Sequence, residues 1–486
     1  MLDQSWASGQ EKALRRQLVW FRTDLRVTDH AALSAAMAAG PTVAVFVVSP
    51  GQWRAHEDAD CKVDFWRRHL AQLRSRLAEL NVPLRLLQVD DWAQVAPAMV
   101  ELCQSLNIAQ LHHQQEYGVN EARRDEAVGE ALIKIGVGRL MQQDKGLLVP
   151  GSVLNQSGEP FKVFTAFKRV ALQRLSGQMP SILPVPKPQR PLGLASDEVG
   201  ESIWPETTES IQALWPAGEA AAQQRLDDFV HAHVHDYHRQ RDVPSLPGTS
   251  QLSPYLAAGV LSVRQCLVRA LAENQGEWAT GSEGVQTWLN ELLWREFYQH
   301  LLLAYPRLSM GQPFKLQTQH LAWRSAPEEL ARWQQGRTGI PLIDAAMRQL
   351  LATGWMHNRL RMVCAMFLSK NLLLDWRLGE SWFMRHLIDG ELAANNGGWQ
   401  WSASTGTDAV PYFRIFNPVT QSQRFDPDGA FIRQWLPELA AIEGKGIHTG
   451  AGSNDLFGPA YPEPMVDLKA SRERALAAFR CLPTEP

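Results

Sequence analysis

The sequence predicts an α/β domain with a parallel, Rossmann-like sheet, followed by an all-helical domain. Three observations predict this fold class. Over residues 17–145, short apolar runs alternate with amphipathic stretches, as in strands joined by crossover helices. Residues 146–236 are rich in Pro, Ser and Gly and interrupt that pattern. From residue 237 to residue 486 only helical periodicity remains, so we expect two domains and a connector.

Four apolar runs are the predicted strands of the sheet. They lie at residues 17–21, 42–48, 84–89 and 110–113. Helical apolar spacing at residues 64–80 and 120–135 predicts two of the crossover helices. This region contains neither a GxGxxG sequence nor a Walker A loop, so the usual nucleotide-binding fingerprints are absent.

The connector contains the run MPSILPVPKPQRP at residues 179–191. Proline lacks a backbone N–H and clashes with the preceding turn, so this run cannot form a helix. We therefore expect a long inter-domain connector that carries some short helices.

Composition excludes several classes of protein. No stretch reaches the ~18 consecutive apolar residues of a membrane span, and the polar residues 1–16 lack the apolar core of a secretory signal. The five cysteines are scattered without a CxxC pair or a Cys/His cluster, so we expect no disulfide framework and no metal site. A cytoplasmic location fits these features. The net charge of −3 means that any nucleic-acid site must be a local basic patch.

The helical half contains four clusters of polar residues. The first is TSQLSP at residues 249–254, where three hydroxyl-bearing residues precede a predicted helix with Pro254 near its first turn. Free N–H groups at such an end favour a phosphate group, to which hydroxyls can add hydrogen bonds. Simple capping of the helix would explain the same residues, so both interpretations stay open.

The second and third clusters each place polar residues on one helix face. In the second cluster, i, i+3, i+4 and i+7 spacing groups four residues: Glu291, Trp294, Arg295 and Tyr298. Such a face suits either the wall of a ligand cavity or a solvated surface. In the third cluster the same spacing groups Asn358, Arg361 and Met362. The opposite, apolar side of that helix carries Leu360, Val363 and Phe367.

The fourth cluster, residues 389–401, combines two acids, two asparagines, three glycines and two tryptophans. Neither a regular helix nor a regular strand explains this composition, and glycines let a ligand approach the backbone closely. We therefore predict that this segment contacts a ligand. The chain has 18 tryptophans, and Trp is enriched at binding surfaces as well as in cores.

Segments 249–262, 288–300 and 354–418 closely resemble the photolyase/cryptochrome family, in particular its class I bacterial members that split cyclobutane pyrimidine dimers, such as the Escherichia coli member. The resemblance covers nearly the whole chain. It implies an α/β domain and a helical domain that holds FAD in a U-shaped conformation. It also implies light-driven DNA repair: a dimer flips into a cavity above the flavin, and the excited, reduced flavin anion lends it an electron that opens the cyclobutane ring. No metal takes part.

The resemblance implies a set of FAD contacts, which are Tyr237, Thr249, Ser250, Leu252, Ser253, Trp288, Arg295, Arg361, Asp389, Glu391 and Asn395. Arg361 and Asp389 match an ion pair beside the flavin ring, which would favour the reduced anion. Asn395 matches the residue facing flavin N5, where an amide does not readily deliver a proton. The family usually has Asp where this chain has Glu391, so the extra methylene can alter a contact to the flavin edge.

The resemblance also implies a substrate pocket above the flavin. Glu291 would hydrogen-bond the pyrimidines and stabilise charge on the dimer, while Trp294 and Trp401 would wedge the flipped bases. Asn358 and Met362 match the remaining pocket residues.

Two further sets of residues follow from the resemblance. A photoreduction chain that carries electrons from the surface to oxidised FAD would consist of Trp399, Trp376 and Trp323. The contacts to DNA, which would form the local basic patch, would be Arg241, Arg359 and Arg414.

An antenna chromophore is expected in the α/β domain. Asn120 and Glu121 match the pair that binds 5,10-methenyltetrahydrofolate, which favours this folate over a deazaflavin. Two positions that are Cys and Lys in the Escherichia coli member are Ser309 and Met310 here, so weaker folate binding is expected.

Three alternatives belong to other classes. A signalling cryptochrome disagrees with Asn395, where such proteins typically have Asp or Cys, and with the short segment after Trp435. A (6–4) photolyase would place histidines in the pocket, where this chain has Asn358 and Met362. A nucleotide-binding α/β protein leaves cluster 389–401 unexplained.

The expected partner is UV-damaged DNA. Whether double- or single-stranded DNA is preferred stays open. We expect a monomer with no obligatory protein partner, in a bacterial cytoplasm and at the nucleoid when bound to DNA.

Overall fold

A computed structural model describes residues 15–200, 203–278, 280–451 and 461–483, and shows an α/β domain packed against a helical domain. Of the polar segment at residues 1–16, positions 1–14 lie outside the described residues. Among the described residues, no helix is long and apolar enough to cross a membrane. The same residues contain no group of three or more His, Cys, Asp or Glu side chains arranged to hold a metal ion.

The α/β domain contains five parallel strands in the order β3-β2-β1-β4-β5. Their bounds are β1 Arg16–Phe21, β2 Thr42–Val48, β3 Leu84–Gln88, β4 Ile108–Gln114 and β5 Gly138–Gln142. The four predicted strands are confirmed. The fifth strand was not predicted, because its sequence, GRLMQ, has little apolar character and is mostly exposed.

Helices cover both faces of the sheet, which is why β2 is buried along its whole length and β1 is buried at every residue after Arg16. The bounds are α1 Ala31–Ala39, α2 Pro50–Ala55, α3 Asp60–Glu79, α4 Val95–Ser105 and α5 Val119–Lys134. Helices α3 and α5 confirm the two predicted crossover helices. Alternate strand residues such as Leu18 and Trp20 pack against α4 and α5, whereas Val19 and Phe21 face the other way, into the core that continues into the helical domain.

The connector lies along the α/β domain. It carries α6 Phe164–Gly177, α7 Glu209–Leu214 and α8 Glu219–Ala232. The prediction that residues 179–191 are not helical is confirmed. Backbone hydrogen bonds join Asp29 to Leu183, Gln189 to Leu80 and Asp197 to Leu84, so this extended segment is fixed to the sheet and its helices.

Twelve helices of the described residues follow the connector. They are α9 Tyr237–Gln240, α10 Ser253–Ala257, α11 Val263–Glu273, α12 Glu283–Ala304, α13 Pro327–Gln334, α14 Pro341–Thr353, α15 Asn358–Met366, α16 Trp376–Met384, α17 Leu392–Ala403, α18 Pro418–Phe425, α19 Ala430–Trp435 and α20 Leu468–Arg480. The 22-residue α12 packs against α6, α9, α11 and α17. A separate apolar core joins α14, α15, α16 and α19. Helix α12 therefore belongs to the core that is shared with the α/β domain, and it packs on α17, whose Trp399 belongs to the second core.

Candidate active site

Two cavities lie next to each other, and Ala257, Gly390 and Glu391 line both. The first measures about 460 Å³ and is enclosed by helices α9, α10, α12, α15 and α17; we call it the helical cavity. The second measures about 390 Å³ and lies between the carboxyl edge of the sheet and the helical domain; we call it the sheet-edge cavity.

Helix α12 forms one wall of the helical cavity. The four residues predicted to share a face all line it, as does Trp288 one turn earlier. Leu289, Leu293 and Phe297, on the other side of the helix, are buried in the apolar core. The shared face is therefore confirmed as a cavity wall, and the solvated-surface interpretation is wrong.

Helix α15 supplies a second wall through Asn358, Arg361 and Met362, which confirms their predicted shared face. Arg361 Nη2 donates to both carboxylate oxygens of Asp389, at 2.8 and 3.1 Å. Its Nε donates to the carbonyl of Met356 at 2.8 Å, which fixes the guanidinium plane. Since the Asp389 side chain is only 2% exposed, the pair places a charged, oriented group in the cavity wall.

Residues 392–403 form the regular helix α17, so the view that no regular helix explains segment 389–401 is wrong. Of the two glycines in α17, Gly397 serves close packing, whereas a Cβ on Gly398 would meet no atom within 4 Å. A Cβ on Gly397 would lie 2.3 Å from the ring of Tyr298, so this glycine lets α17 approach α12. A Cβ on Gly379 of α16 would lie 2.0 Å from the Trp399 ring. The prediction that this segment borders a ligand site agrees with Asn395, Gly398, Trp399 and Trp401, which line the cavity.

The hydroxyl cluster precedes α10 as predicted, with Pro254 in the first turn. Ser250, Leu252 and Ser253 line the helical cavity, whereas Thr249 does not. The N-cap residue is Leu252, and no side chain caps the helix. Capping therefore does not account for these hydroxyls. Ser253 Oγ accepts from Trp355 Nε1 at 3.4 Å, so it can still donate to a ligand, as can Ser250.

Glu291 is held by a cation inside the cavity. Arg241 Nη1 donates to its Oε1 at 2.7 Å. Burial raises the pKa of Glu291, while Arg241 opposes that shift. Arg241 also lies 4.0 Å from Asp242, which binds Arg359 through two hydrogen bonds of 3.2 and 2.7 Å. Two of the predicted DNA-contacting arginines thus share one acid at the cavity rim.

Asn395 lines the cavity with a fixed amide. Its Nδ2 donates to the carbonyl of Glu380 at 3.0 Å. Among the described residues no group donates to its Oδ1, so that oxygen can accept a hydrogen bond from a ligand. Behind it, Asn396 Nδ2 donates to Glu380 Oε1 at 2.8 Å, and burial raises the pKa of Glu380 to about 7.

The predicted photoreduction residues belong to one apolar core. Trp399 and Trp376 are buried in it and Trp323 packs against it, but only Trp399 lines the cavity. Trp333, which sequence reasoning missed, lies edge-on to Trp399 with ring centroids 6.1 Å apart. Its sequence neighbourhood carries no motif that could have indicated this contact.

Two predicted DNA-contacting residues do not line the cavity. The Arg359 guanidinium lies over the ring of Phe425, at 4.6 Å from its centroid. Arg414 is exposed, and its carbonyl accepts from the buried Lys370 Nζ at 3.1 Å. Sequence reasoning also missed Phe164, which stacks on Trp294 with ring centroids 3.7 Å apart. A single aromatic in a connector gives no signal of such a contact.

The donors in the helical cavity suit a large ligand with anionic and flat aromatic parts. Arg295 Nη1 and Trp399 Nε1 are buried without a hydrogen-bond partner in the described part of the chain. Arg295 and Arg361 supply positive charge, and Ser250 and Ser253 supply hydroxyls. Aromatic and aliphatic side chains complete the walls, which is the composition of a cofactor site.

The sheet-edge cavity begins where β1, β2 and β4 end. Phe21 to Thr23, Val47 and Ser49, and Glu116 to Gly118 line it. Between β1 and β4 the strand order changes direction, and ligands of parallel sheets bind at such a point. Burial alone would raise the pKa of Glu116, but Arg22, Arg124 and Lys145 hold it well below its usual range.

The predicted antenna residues line this second cavity. Asn120 Nδ2 donates to His56 Nε2 at 3.0 Å. Burial raises the pKa of Glu121, and the nearby Glu116 adds to that shift. Ser309 lines the cavity with a buried hydroxyl that has no partner in the described part of the chain, whereas Met310 is 53% exposed and does not line it.

Glu391 lies where the two cavities meet. Its Oε1 accepts from Gln299 Nε2 at 3.1 Å and lies 3.6 Å from Arg295 Nη2. Burial alone would raise the pKa of Glu391, but Arg295 and Lys145 lower it. The carboxylate is thus charged and bordered by residues of both cavities.

Two family models match the chain. The one described as DNA photolyase matches residues 17–189, and the one described as the FAD binding domain of DNA photolyase matches residues 288–481. The first range contains the strands from residue 17 onward and the strand ends that line the sheet-edge cavity, and the second contains α12, α15 and α17. The residues between them include the hydroxyl cluster and Arg241.

Two curated relatives match nearly end to end. The deoxyribodipyrimidine photo-lyase of Vibrio cholerae is 45% identical over 96% of this chain and 99% of its own length. The enzyme of the same name from Escherichia coli is 45% identical over 95% of this chain and 98% of its own length. Among solved structures, a class III photolyase from Agrobacterium tumefaciens has a TM-score of 0.86 and 32% identity, covering 98% of this chain and 99% of that one.

Proposed function

The chain belongs to the DNA photolyase family, and we propose that it is a light-dependent lyase that reverses cyclobutane pyrimidine dimers in DNA. One observation carries this proposal: a single cavity combines donors suited to FAD with an acid and two tryptophans that can hold a pair of pyrimidines. The predicted α/β and helical domains both agree with the family's fold.

FAD fits the floor of the helical cavity. The residues that would hold it are those of the FAD set that line the cavity: Tyr237, Ser250, Leu252, Ser253, Trp288, Arg295, Arg361, Asp389, Glu391 and Asn395. Thr249 precedes Ser250 but does not line the cavity. Its predicted contact with FAD would therefore have to be made through the backbone of this turn. When bound, reduced FAD supplies the light-driven electron that opens the cyclobutane ring.

Side chains around the FAD site would place charged and polar groups next to the flavin. The Arg361 guanidinium, fixed by Asp389, would place a positive charge beside the flavin and favour its reduced anion. Asn395 would present its amide oxygen, because its Nδ2 is occupied by Glu380. An amide does not exchange a proton readily, so this residue would leave the protonation state of the flavin unchanged.

The upper part of the cavity would bind the dimer. Trp294 and Trp401 would contact the two faces of the flipped bases, with Asn358 and Met362 between them. Glu291 would accept hydrogen bonds from the pyrimidines while Arg241 holds its carboxylate. Damaged DNA would dock over the cavity mouth through phosphate contacts to Arg241, Arg359 and Arg414.

Two further roles complete the proposal. Trp399, Trp376 and Trp323 would pass electrons from the surface to oxidised FAD, supported by their common apolar core. The sheet-edge cavity would bind 5,10-methenyltetrahydrofolate through Asn120 and Glu121. We expect a monomer that acts in the cytoplasm.

The test is repair of a thymine-dimer oligonucleotide by the reduced protein under blue light, with a dark control. Glu291→Ala should weaken dimer binding by about tenfold, the effect of one hydrogen bond to a charged group, and keep FAD bound. Glu283→Ala, on the exposed side of the same helix, is the matched control and should leave repair unchanged. Absence of repair by protein with bound FAD would overturn the proposal, and a (6–4) substrate would then separate the two related activities.

A further inference from the structure

Phe164 is the first residue of helix α6 and lies flat against Trp294. The two ring centroids are 3.7 Å apart and the planes differ by 10°. Phe164 is buried and also contacts Phe297, so its ring has little freedom to move. Because Phe164 covers one face of the indole, Trp294 can offer the helical cavity only its opposite face and its edge.

Asp408 fixes the end of the helix from which Phe164 projects. Val163, the N-cap residue of α6, makes no side-chain capping bond. Instead, Asp408 Oδ2 accepts from the backbone N–H of Phe164 at 3.0 Å. A carboxylate from a distant part of the chain therefore caps α6, and its charge complements the positive end of the helix dipole. Thr407 adds a second connection, since its hydroxyl donates to the carbonyl of Lys162.

The loop that carries Asp408 is itself fixed to the end of α17. The backbone N–H groups of Thr405 and Gly406 both donate to the carbonyl of Gln400, at 3.0 and 3.1 Å. Ser404 Oγ donates to the carbonyl of Val410 at 2.6 Å, which closes the loop on itself. Gln400 directly precedes Trp401, so the loop is bonded to the same turn of α17 that carries this tryptophan.

We propose that Asp408 and Phe164 are positioning residues that set the separation between Trp294 and Trp401, the two walls of the dimer slot. This inference rests on the proposed function. Trp401 is connected to the loop through α17, and Trp294 is connected to the same loop through Phe164 and Asp408. Neither positioning residue lines the cavity, so their effect on the substrate is indirect.

Loss of the cap has a specific consequence. The first turn of α6 frays, Phe164 leaves the face of Trp294, and the indole gains rotamer freedom. Binding a dimer then has to restore that order, which weakens affinity. Undamaged DNA does not enter the slot, so its affinity is unchanged.

The experiment compares Asp408→Ala with Asp408→Asn. Both remove the same charge, but only Asn keeps an oxygen that can accept from Phe164 N–H. Because position 408 has a positive φ of 44°, which strains Ala more than Asn, Asp408→Gly is measured beside them: it adopts this φ without strain, has no oxygen, and should match Asp408→Ala. Dissociation constants are measured for one oligonucleotide with and without a thymine dimer. We expect Asp408→Ala to bind the dimer oligonucleotide about fivefold more weakly than Asp408→Asn, the value of one helix cap, and both to bind undamaged DNA equally.

Asp467→Ala is the matched control. Asp467 is an exposed aspartate that caps α20 by accepting from Ala470 N–H at 2.7 Å, and α20 does not border the cavity. Its loss should leave dimer affinity at the wild-type value. Flavin absorbance and the thermal midpoint report the folded fraction of each variant. Phe164→Leu, which keeps an apolar side chain but removes the flat ring, should show the same selective loss as Asp408→Ala.

Equal dimer affinities for the Ala and Asn variants at position 408 would overturn the inference. So would a loss in Asp408→Ala that is the same for damaged and undamaged DNA. A wild-type protein that does not prefer the dimer oligonucleotide would instead overturn the proposed function, so the two failures are distinguishable.

Discussion

The two cavities differ in how they hold a buried carboxylate. At the sheet edge, Glu116 lies among Arg22, Arg124 and Lys145, and its pKa stays well below the usual range despite burial. In the helical cavity Glu291 has Arg241 as its ion-pair partner, and its pKa is raised by burial. Glu116 is therefore a stable charge within an ion network, whereas ionisation of Glu291 is opposed by its burial.

The difference in pKa depends on how many cations surround the acid and not on which cavity the acid lines. Glu121 also lines the sheet-edge cavity, yet it makes no ion pair among the described residues, and its pKa is raised by burial and by Glu116. Buried acids with few partners are the ones whose charge responds to a ligand. This distinction separates acids that maintain the fold from acids suited to contact substrate or chromophore.

The largest expected effect comes from Glu116→Gln. It removes one of the two buried carboxylates that balance Arg22 and Arg124, the other being Asp125, so we expect the free energy of unfolding at pH 7 to fall by about 3 kcal/mol. Because the pKa of Glu116 is lowered in the folded state, its stabilisation is present above about pH 4.5 and is lost as the pH falls below that value. Urea unfolding at pH 7 and pH 4 measures it. Glu101→Gln, on an exposed position of α4, should change little, and equal stability of the two variants would contradict the comparison.

Glu380→Gln should have the opposite effect, because it should raise the free energy of unfolding above that of wild type at high pH. The pKa of Glu380 is about 7, so the folded state holds the proton more tightly, and wild-type stability declines as the pH rises from about 4.5 through 7. Gln keeps an acceptor for Asn396 but carries no charge. We expect the variant to match wild type at pH 5 and to exceed it by about 2 kcal/mol at pH 8. A pH-independent difference would show that Glu380 does not titrate there; Glu130→Gln on exposed α5 is the control.

The smallest expected effect concerns the proposed binding of folate in the sheet-edge cavity. Ser309→Cys combined with Met310→Lys introduces the two residues that the resemblance implies at these positions and adds one positive charge beside the cavity. We expect folate affinity to rise by about fivefold, the upper range for an exposed ion pair, with FAD content unchanged. Fluorescence titration measures the affinity. Leu316→Lys, an equally charged change at an exposed position that does not line the cavity, should have no effect; a similar gain there would indicate non-specific attraction.

Sequence periodicity was enough to predict the parts of the fold with a strong apolar pattern. Strand β2, seven buried residues, and the cavity face of α12 were both predicted because their apolar spacing is regular. Strand β5 was missed because it is an edge strand with a polar sequence. Helix α17 was misread because its glycines suggested irregular backbone, when Gly397 in fact serves close packing with Tyr298.

The candidate site likewise has features that the sequence predicts and features that it does not. Residues that share one helix face, such as Glu291 and Trp294, were grouped correctly from spacing. Contacts between distant segments, such as Phe164 on Trp294, left no local signal, because only the folded chain brings these residues together. The roles of individual site residues and the domain limits at residues 146 and 236 stay predictions.

The boundary shared by the two cavities limits which substitutions the chain can accept during evolution. It consists of Ala257, Gly390 and Glu391. A substitution at Glu391 alters the lining of both cavities at once, since its Oε1 accepts from Gln299 of the sheet-edge cavity and lies 3.6 Å from Arg295 of the helical cavity. A substitution there that improves one cavity for its ligand therefore also changes the other cavity. At this shared boundary the two cavities therefore evolve together, whereas their other lining residues differ and are free to change separately.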